Sequence, residues 1–294
     1  MGSHGTVAPQ VGHRLAEMAV AAASAAAGTA GVRVQDLHEL SELERVCELY
    51  EGIWRSDPSV GPLVTTEWLR ALSHAGNYVS GAFAGASLVG GCIGFFATPL
   101  GRAMHSHIAG VAAGMRGRNV GFALKLHQRA WALQRGITRI TWTFDPLVRR
   151  NAWFNLAKLG ALPTAYLERF YGTMRDGINA GEESDRILVD WPLDADRVVR
   201  ACAGHPPEID VAGLLAGGAT VGLDADVMGR PVPSRAAGGV VLVGVPPDVE
   251  RLRLEDRDAA QAWRFALREV LGGLLADGGS VTGFAREGWY VVVR

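Results

Sequence analysis

One stretch constrains this chain more than any other. His105-Ser106-His107-Ile108-Ala109-Gly110-Val111 reads as a strand, and Arg116-Gly117-Arg118-Asn119-Val120-Gly121-Phe122-Ala123-Leu124-Lys125 follows as a tight turn and the start of a helix. The helix carries an apolar stripe of 3.6-residue period, Val120, Ala123, Leu124, Leu126, His127, Ala130, Trp131 and Leu133. Gly136 supplies its C-terminal stop. A strand-to-helix turn of this kind stacks backbone N–H groups at a helix N-terminus, which suits an anion. Glycine there either admits a ligand close to the backbone or simply lets the chain turn.

The chain has 294 residues, enough for one large or two ordinary domains, and its 48% hydrophobic content can fill a core. With 29 basic against 30 acidic residues the net charge is −1, so there is no global basic field and no nucleic-acid partner is expected. Lysine occurs only at 125 and 158. Cys47, Cys92 and Cys202 are widely spaced and odd in number, with neither metal nor disulfide spacing, so a reducing, cytoplasmic setting and no metal are expected. The Ala-rich run from His13 to Ala30 resembles a signal peptide only superficially, since Glu17 interrupts it. Residues 1–30 read as a flexible or helical arm. No run of eighteen strongly apolar residues occurs, so no membrane span is expected.

Along the chain, Gly31–Leu37 reads as a strand, and Ser41–Trp54 and a segment capped by Thr65 or Thr66 as helices. Tyr78–Ala84 and Leu88–Phe96 read as a hairpin around Gly85-Ala86. Val120–Gln134 is a helix, Thr138–Phe144 a β-branched and aromatic strand, and Asn151–Leu159 a short helix stopped by Gly160. Strands are expected around Ala165–Met174 and Arg186–Trp191. The order β-α-α-β-β-β-α-β-α-β-β over residues 31–193 predicts a mixed α/β domain with antiparallel hairpins and one βαβ unit. Residues 194–238 are rich in Gly, Pro, Ala and Asp and carry no clear periodicity. The rest of 194–294 reads as a small β-α-β-β extension: Val240–Val245, an amphipathic helix over Asp256–Ala276, then a hairpin of Val281–Phe284 and Trp289–Val293.

The strand–turn–helix stretch and this element order resemble the GNAT superfamily of N-acetyltransferases over about two-thirds of the chain. The superfamily turn is Arg/Gln-x-x-Gly-x-Gly/Ala; here Arg116 and Gly121 match, and Asn119 stands at the first glycine. Asn tolerates the left-handed region better than other side chains, so the turn can form. The resemblance implies a GNAT-like acyl-CoA acyltransferase fold. It implies that Val111, Arg116, Gly117, Arg118, Asn119, Val120, Gly121 and Phe122 cradle the pyrophosphate of coenzyme A. Otherwise the arginines are solvated turn residues. Counting back six from Val111, the position of a superfamily general base falls on His105, and His107 would orient it or the acceptor. A strand histidine can equally be a satisfied structural residue.

Trp142-Thr143-Phe144-Asp145-Pro146 and Arg149 to Gly160 resemble the superfamily's second motif, where Asn151 and Phe154 would meet the pantetheine arm. Trp142 and Asp145 would face the acceptor, although an Asp before Pro also caps turns. Leu156 stands where many members carry a tyrosine acid, and Tyr166 or Tyr171 would have to replace it. Trp263-Arg264-Phe265-Ala266-Leu267-Arg268-Glu269 resembles the C-terminal helix of a less-studied branch, some members of which are linked with N-succinylation of amino acids. Arg264 and Arg268, one turn apart, would then read a carboxylate, or else lie on an exposed face with Glu269 and Asp256. Residues 194–294 would be that branch's extra region or a degenerate second half. The implied activity is direct transfer of an acetyl or succinyl group from acyl-CoA to a small-molecule amine such as an amino acid, with a homodimer compatible. The alternatives are a catalytically weak ligand-binding or regulatory module and a CoA-thioester decarboxylase.

Overall fold

A computed structural model of the chain describes residues 8–54, 61–172 and 183–294. By compactness the chain divides into two units, 1–141 with 192–194, and 142–191 with 195–294. This division falls inside a strand and differs from the sequence-based one at 193.

The first unit opens with helix α1 (Ala8–Ala30), strand β1 (Arg33–Asp36) and helices α2 (Leu40–Trp54) and α3 (Thr66–His74). Thr65 caps α3 by accepting the Trp68 N–H. Strands β2 (Tyr78–Ala84), β3 (Ser87–Ala97) and β4 (Ala103–Val111) follow, then a 3₁₀ turn over Ala113–Met115, helix α4 (Val120–Gln134) and the start of strand β5 (Arg139–Phe144). The strands lie in the order β1-β2-β3-β4-β5, antiparallel from β1 to β4, with β5 parallel to β4. Leu43, Val46, Tyr50 and Leu69 of α2 and α3 pack with Val79, Phe83, Ile93 and Ile108 into one apolar core. Helix α2 approaches so closely because β3 and β4 present glycine. A Cβ on Gly91 would stand 3.0 Å from the Tyr50 hydroxyl, and one on Gly110 would stand 2.8 Å from the Trp54 ring. Helix α4 packs against the strands and also against α1, which buries Ala16, Ala19 and Ala23. Lys125, Gln128 and Arg129 are also buried on α4: Lys125 bonds to Ser106 and Gln128, and Arg129 donates to the Leu193 carbonyl.

In the second unit, β5 ends and a helix follows, α-helical over α5 (Arg149–Ala152) and π-helical over Trp153–Lys158. Gly160 then turns the chain at φ +73° into β6 (Leu162–Leu167), antiparallel to β7 (Arg186–Pro192). The strand expected over Ala165–Met174 begins three residues earlier and ends at Leu167, and Met174 is outside the described residues. Where the sequence showed no periodicity the chain forms α6 (Asp196–Cys202), α7 (Val211–Ala216), β8 (Thr220–Ala225) and β9 (Pro231–Pro233). Strand β10 (Val240–Gly244) and helices α8 (Val249–Glu255) and α9 (Arg257–Leu267) follow. Helix α9 continues through a π turn over Arg268–Gly272 into α10 (Gly273–Ala276). Strands β11 (Ser280–Ala285) and β12 (Trp289–Val293) complete a sheet of order β11-β12-β10-β8-β9. The expected β-α-β-β extension is therefore part of a five-stranded sheet, to which β8 and β9 were added from the segment with no readable pattern. Strand β9 closes one edge with a proline at each end, Pro231 and Pro233. Among the described residues no helix is long and apolar enough to cross a membrane.

Candidate active site

Strand β4 has two neighbours for only part of its length. Its pairing with β5 covers Ala103↔Arg139, Met104↔Ile140 and His105↔Thr141, whereas its pairing with β3 runs on to Val111. From Ser106 onward the β5-facing edge of β4 makes no ladder pairs among the described residues. Opposite Ile93 and Gly94 the register shifts, so that His107 is an extra residue between Ser106 and Ile108. Such a bulge bends the strand and re-aims its side chains.

At its far end β4 enters the Gly/Arg turn. Gly117 takes φ +79° and Asn119 the left-handed conformation at φ 62°, as its type allows. The hydrogen-bond ladder of α4 begins with the Ala123 N–H donating to the Asn119 carbonyl at 3.0 Å, which leaves the N–H groups of Val120 and Gly121 ahead of it. Arg116 and Arg118 are exposed beside them. A Cβ on Gly121 would meet only the Val111 side chain, at 3.8 Å, so the protein's own packing does not require glycine there. Val111 and Phe122 flank this opening as half-buried residues.

His105 and His107 lie beside Phe95 on β4's α2/α3 side, with ring centroids 5.5 and 5.8 Å from it. His105 Nδ1 is 3.1 Å from the Thr141 hydroxyl, and the Trp68 ring meets His107 edge to face at 5.9 Å. Burial, with the charges of His107 and Lys125, pushes the His105 imidazole down to about 4; burial alone lowers His107. His105 is therefore neutral across the ordinary pH range, but a weaker base than a free imidazole near 6.5. On the opposite side of β4, Lys125 donates to the Ser106 hydroxyl at 3.1 Å and to Gln128 Oε1 at 2.8 Å. Burial pushes the Lys125 ammonium down to about 8.

The remaining expected site residues belong to the second unit. Trp142 is buried, its indole N–H donating to Asn155 Oδ1 at 3.2 Å. Asn151 and Phe154 are half-buried on the short helix, where Leu156 is fully buried. The Tyr171 hydroxyl is 3.2 Å from the Thr143 hydroxyl, while Tyr166 donates to Asp185 Oδ2 at 2.8 Å. Asp145 and Arg264 are brought together, as partners of each other. Arg264 Nη1 and Nη2 donate to the two carboxylate oxygens at 2.8 Å each, and Arg253 Nη2 donates to Oδ2 at 2.6 Å. Burial would push the Asp145 carboxyl up; Arg264 and Arg253 overcome it and hold the carboxyl well below the usual range. Arg268 Nε and Nη2 donate to Asp185 at 2.9 and 2.7 Å, and Arg268 also pairs with Glu183. The two arginines expected to read a ligand carboxylate are each engaged by carboxylates of the protein, and Glu269 and Asp256 are not among them.

Sequence reading missed Trp68, Phe95, Thr141 and the buried setting of Lys125. Phe95 was within reach, since hairpin register puts it opposite His105. Lys125 had a signal too, a lysine set between Leu124 and Leu126 in an otherwise apolar run.

No family model matches the chain, and no curated protein matches it. Solved structures do. A diaminobutyrate acetyltransferase from Paenibacillus lautus, in complex with its substrate and coenzyme A, is 16% identical with a TM-score of 0.43, over 56% of this chain and 97% of that one. A GNAT-family acetyltransferase from Streptococcus pneumoniae is 14% identical at a TM-score of 0.44, over 54% and 98% of the two chains. The ribosomal-protein-S18-alanine N-acetyltransferase from Escherichia coli is 12% identical at 0.43, over 56% and 95%. Over about half its length, the chain is similar to solved acetyltransferases, one of them described as of the GNAT family.

Proposed function

We propose that this chain is a GNAT-type N-acyltransferase that moves an acetyl or succinyl group from acyl-CoA to the amine of a small molecule, such as an amino acid. One observation carries the reading. A central strand, β4, leaves its parallel neighbour after three residue pairs and runs into a turn whose left-handed residues expose a helix N-terminus. The residues fit the co-substrate: Gly121 keeps a space that no side chain of the protein needs, and Arg116 and Arg118 stand beside it. A charge-assisted bond from either arginine to a phosphate oxygen contributes roughly 1.5–3 kcal/mol.

Acyl-CoA supplies a thioester carbonyl that an amine can attack directly; a C–N bond forms, the C–S bond breaks and the thiol leaves. The open edge of β4 offers backbone N–H groups to polarise a carbonyl oxygen. His105 is held neutral and oriented through Thr141, so its ring can receive the ammonium proton directly or through water. Because its pKa lies near 4, the driving force for that transfer is small. This favours relay to solvent over retention on the ring.

Mixing the protein with acetyl-CoA or succinyl-CoA and a pool of amines tests the proposal, with free thiol and acylated products followed by mass spectrometry. Release of thiol that depends on amine is expected. Gly121→Val should keep the fold and weaken acyl-CoA binding by calorimetry; unchanged affinity would place the phosphate cradle elsewhere. A second reading, a ligand-binding module without turnover, draws on the weak basicity of His105. It requires acyl-CoA binding with no amine-dependent thiol release.

A further inference from the structure

The side chains around His105 define what kind of amine the site can take. Phe95 lies beside both imidazoles, with centroid distances of 5.5 Å to His105 and 5.8 Å to His107. His107 is 6.3 Å from His105, and Trp68 packs edge to face on His107. These separations are those of interacting π systems. The cluster is open to solvent: Trp68 is 36% exposed, His107 is exposed, and His105 and Phe95 are half-buried.

Its electrostatics are equally specific. Among the described residues no carboxylate acts on either imidazole; burial lowers both, and the one formal charge felt by His105 besides His107 is the Lys125 ammonium across the strand. A second cation on the acceptor would find no counter-charge among the described residues, and Lys125 would repel it. An aryl or alkyl group would find four ring faces and edges, and the amine it carries would be desolvated beside His105, which favours the neutral, nucleophilic form.

We propose that Trp68, Phe95 and His107 form an acceptor subsite selective for a primary amine on a short aryl or alkyl chain, as against diamines and polyamines. This deepens the acyltransferase reading and rests on it for the position of the amine beside His105. Trp68 and Phe95 are then specificity-determining residues that touch the substrate's carbon skeleton.

The test uses 2-phenylethylamine, hexylamine and 1,4-diaminobutane, each with the full-length protein and acetyl-CoA. The arylamine should exceed the diamine in kcat/KM by about tenfold or more, the scale of one aromatic contact plus one unmatched charge. Trp68→Ala and Phe95→Leu should remove the preference mainly through KM, and Trp68→Phe should restore it. Trp68 is on the surface, so loss of the fold is not expected, and a circular dichroism melt checks it. In parallel, calorimetry measures 2-phenylethylamine binding to the protein–CoA complex. If no amine releases thiol, the acyltransferase reading fails. The subsite is then judged by calorimetry alone, where arylamine binding lost in Trp68→Ala supports it. A diamine that equals or exceeds the arylamine in turnover, or in binding where there is no turnover, overturns the proposal, as does a preference unmoved by Trp68→Ala.

Discussion

Two bases on either side of one strand, half-buried His105 and buried Lys125, both hold their protons more weakly than their free forms. His105, lowered by burial to about 4, binds its proton more weakly in the fold than in the unfolded chain, whose value is near 6.5. Its contribution to stability is complete above the unfolded value and is lost as the pH falls toward 4. Any activity should therefore show no imidazole limb between pH 6 and 8, and an NMR titration of the His105 ring should find its midpoint well below 6. A midpoint near 6.5 would show that burial is not controlling it. Replacing His105 by Ala should lower kcat, by up to ~10²–10⁴-fold if the ring takes the proton itself and by less if water carries it. Lys125, lowered to about 8, is the other case. Below pH 8 its charge is buried at a cost of roughly 3 kcal/mol, which is relieved as the pH rises toward 10. Lys125→Met should raise stability in urea at pH 7 by ~1–3 kcal/mol and abolish that alkaline gain, since an apolar side chain replaces an ion. A variant less stable than the parent would mean that the bonds to Ser106 and Gln128 outweigh the buried charge.

At the scale of elements, the close seating of α2 on the sheet depends on missing side chains. Gly110→Val would drive branches into Trp54 and Ile53, whose atoms already lie 2.8 and 2.9 Å from where a Cβ would stand. The expected cost is ~1–3 kcal/mol in the denaturant midpoint, whereas Gly121→Ala, with open space before it, should cost far less. Tyr50, fully buried in the same seam, has a hydroxyl without a hydrogen-bond partner among the described residues. Tyr50→Phe should therefore be neutral or stabilising by up to ~1 kcal/mol. The β4–turn–α4 passage was legible because local signals agree there: alternation, an Asn and a Gly suited to left-handed backbone, then a 3.6-residue stripe. Residues 194–238 were not, because elements of three to seven residues leave no period to read. Helix α8 was missed for the same reason, although Asp248 caps it by accepting the Arg251 N–H. The aromatic subsite needed the hairpin register and the approach of α3, neither of which is written in any single window.

On the scale of the molecule, long-range ion pairs were the part of the chain that sequence could not show. Asp145 finds Arg264 at a separation of 119 residues, and composition offers no way to choose that partner among 27 arginines, the 29 basic residues less Lys125 and Lys158. Removing the carboxylate takes the two-oxygen partner from buried Arg264 and an ion-pair partner from buried Arg253, so Asp145→Asn should cost ~3–5 kcal/mol. The loss should appear in hydrogen exchange as weakened protection in peptides from 142–191 and 195–294, with those from 1–141 little changed; uniform loss would mean that the two units open together. The pair is also acid-sensitive: a carboxyl held below its ordinary range contributes stability that is present above the unfolded value and is lost as the pH falls. The short strand β9 bears on a different property, colloidal behaviour. A sheet edge is a template for any other extended chain, and Pro231 and Pro233 have no N–H to offer one. Alternate residues of a strand face the same edge, and since Ser234 donates to the Gly222 carbonyl of β8, the two prolines hold the outward positions where an N–H would otherwise stand. Growth of the sheet from one molecule into the next is disfavoured there by the covalent structure of two residues.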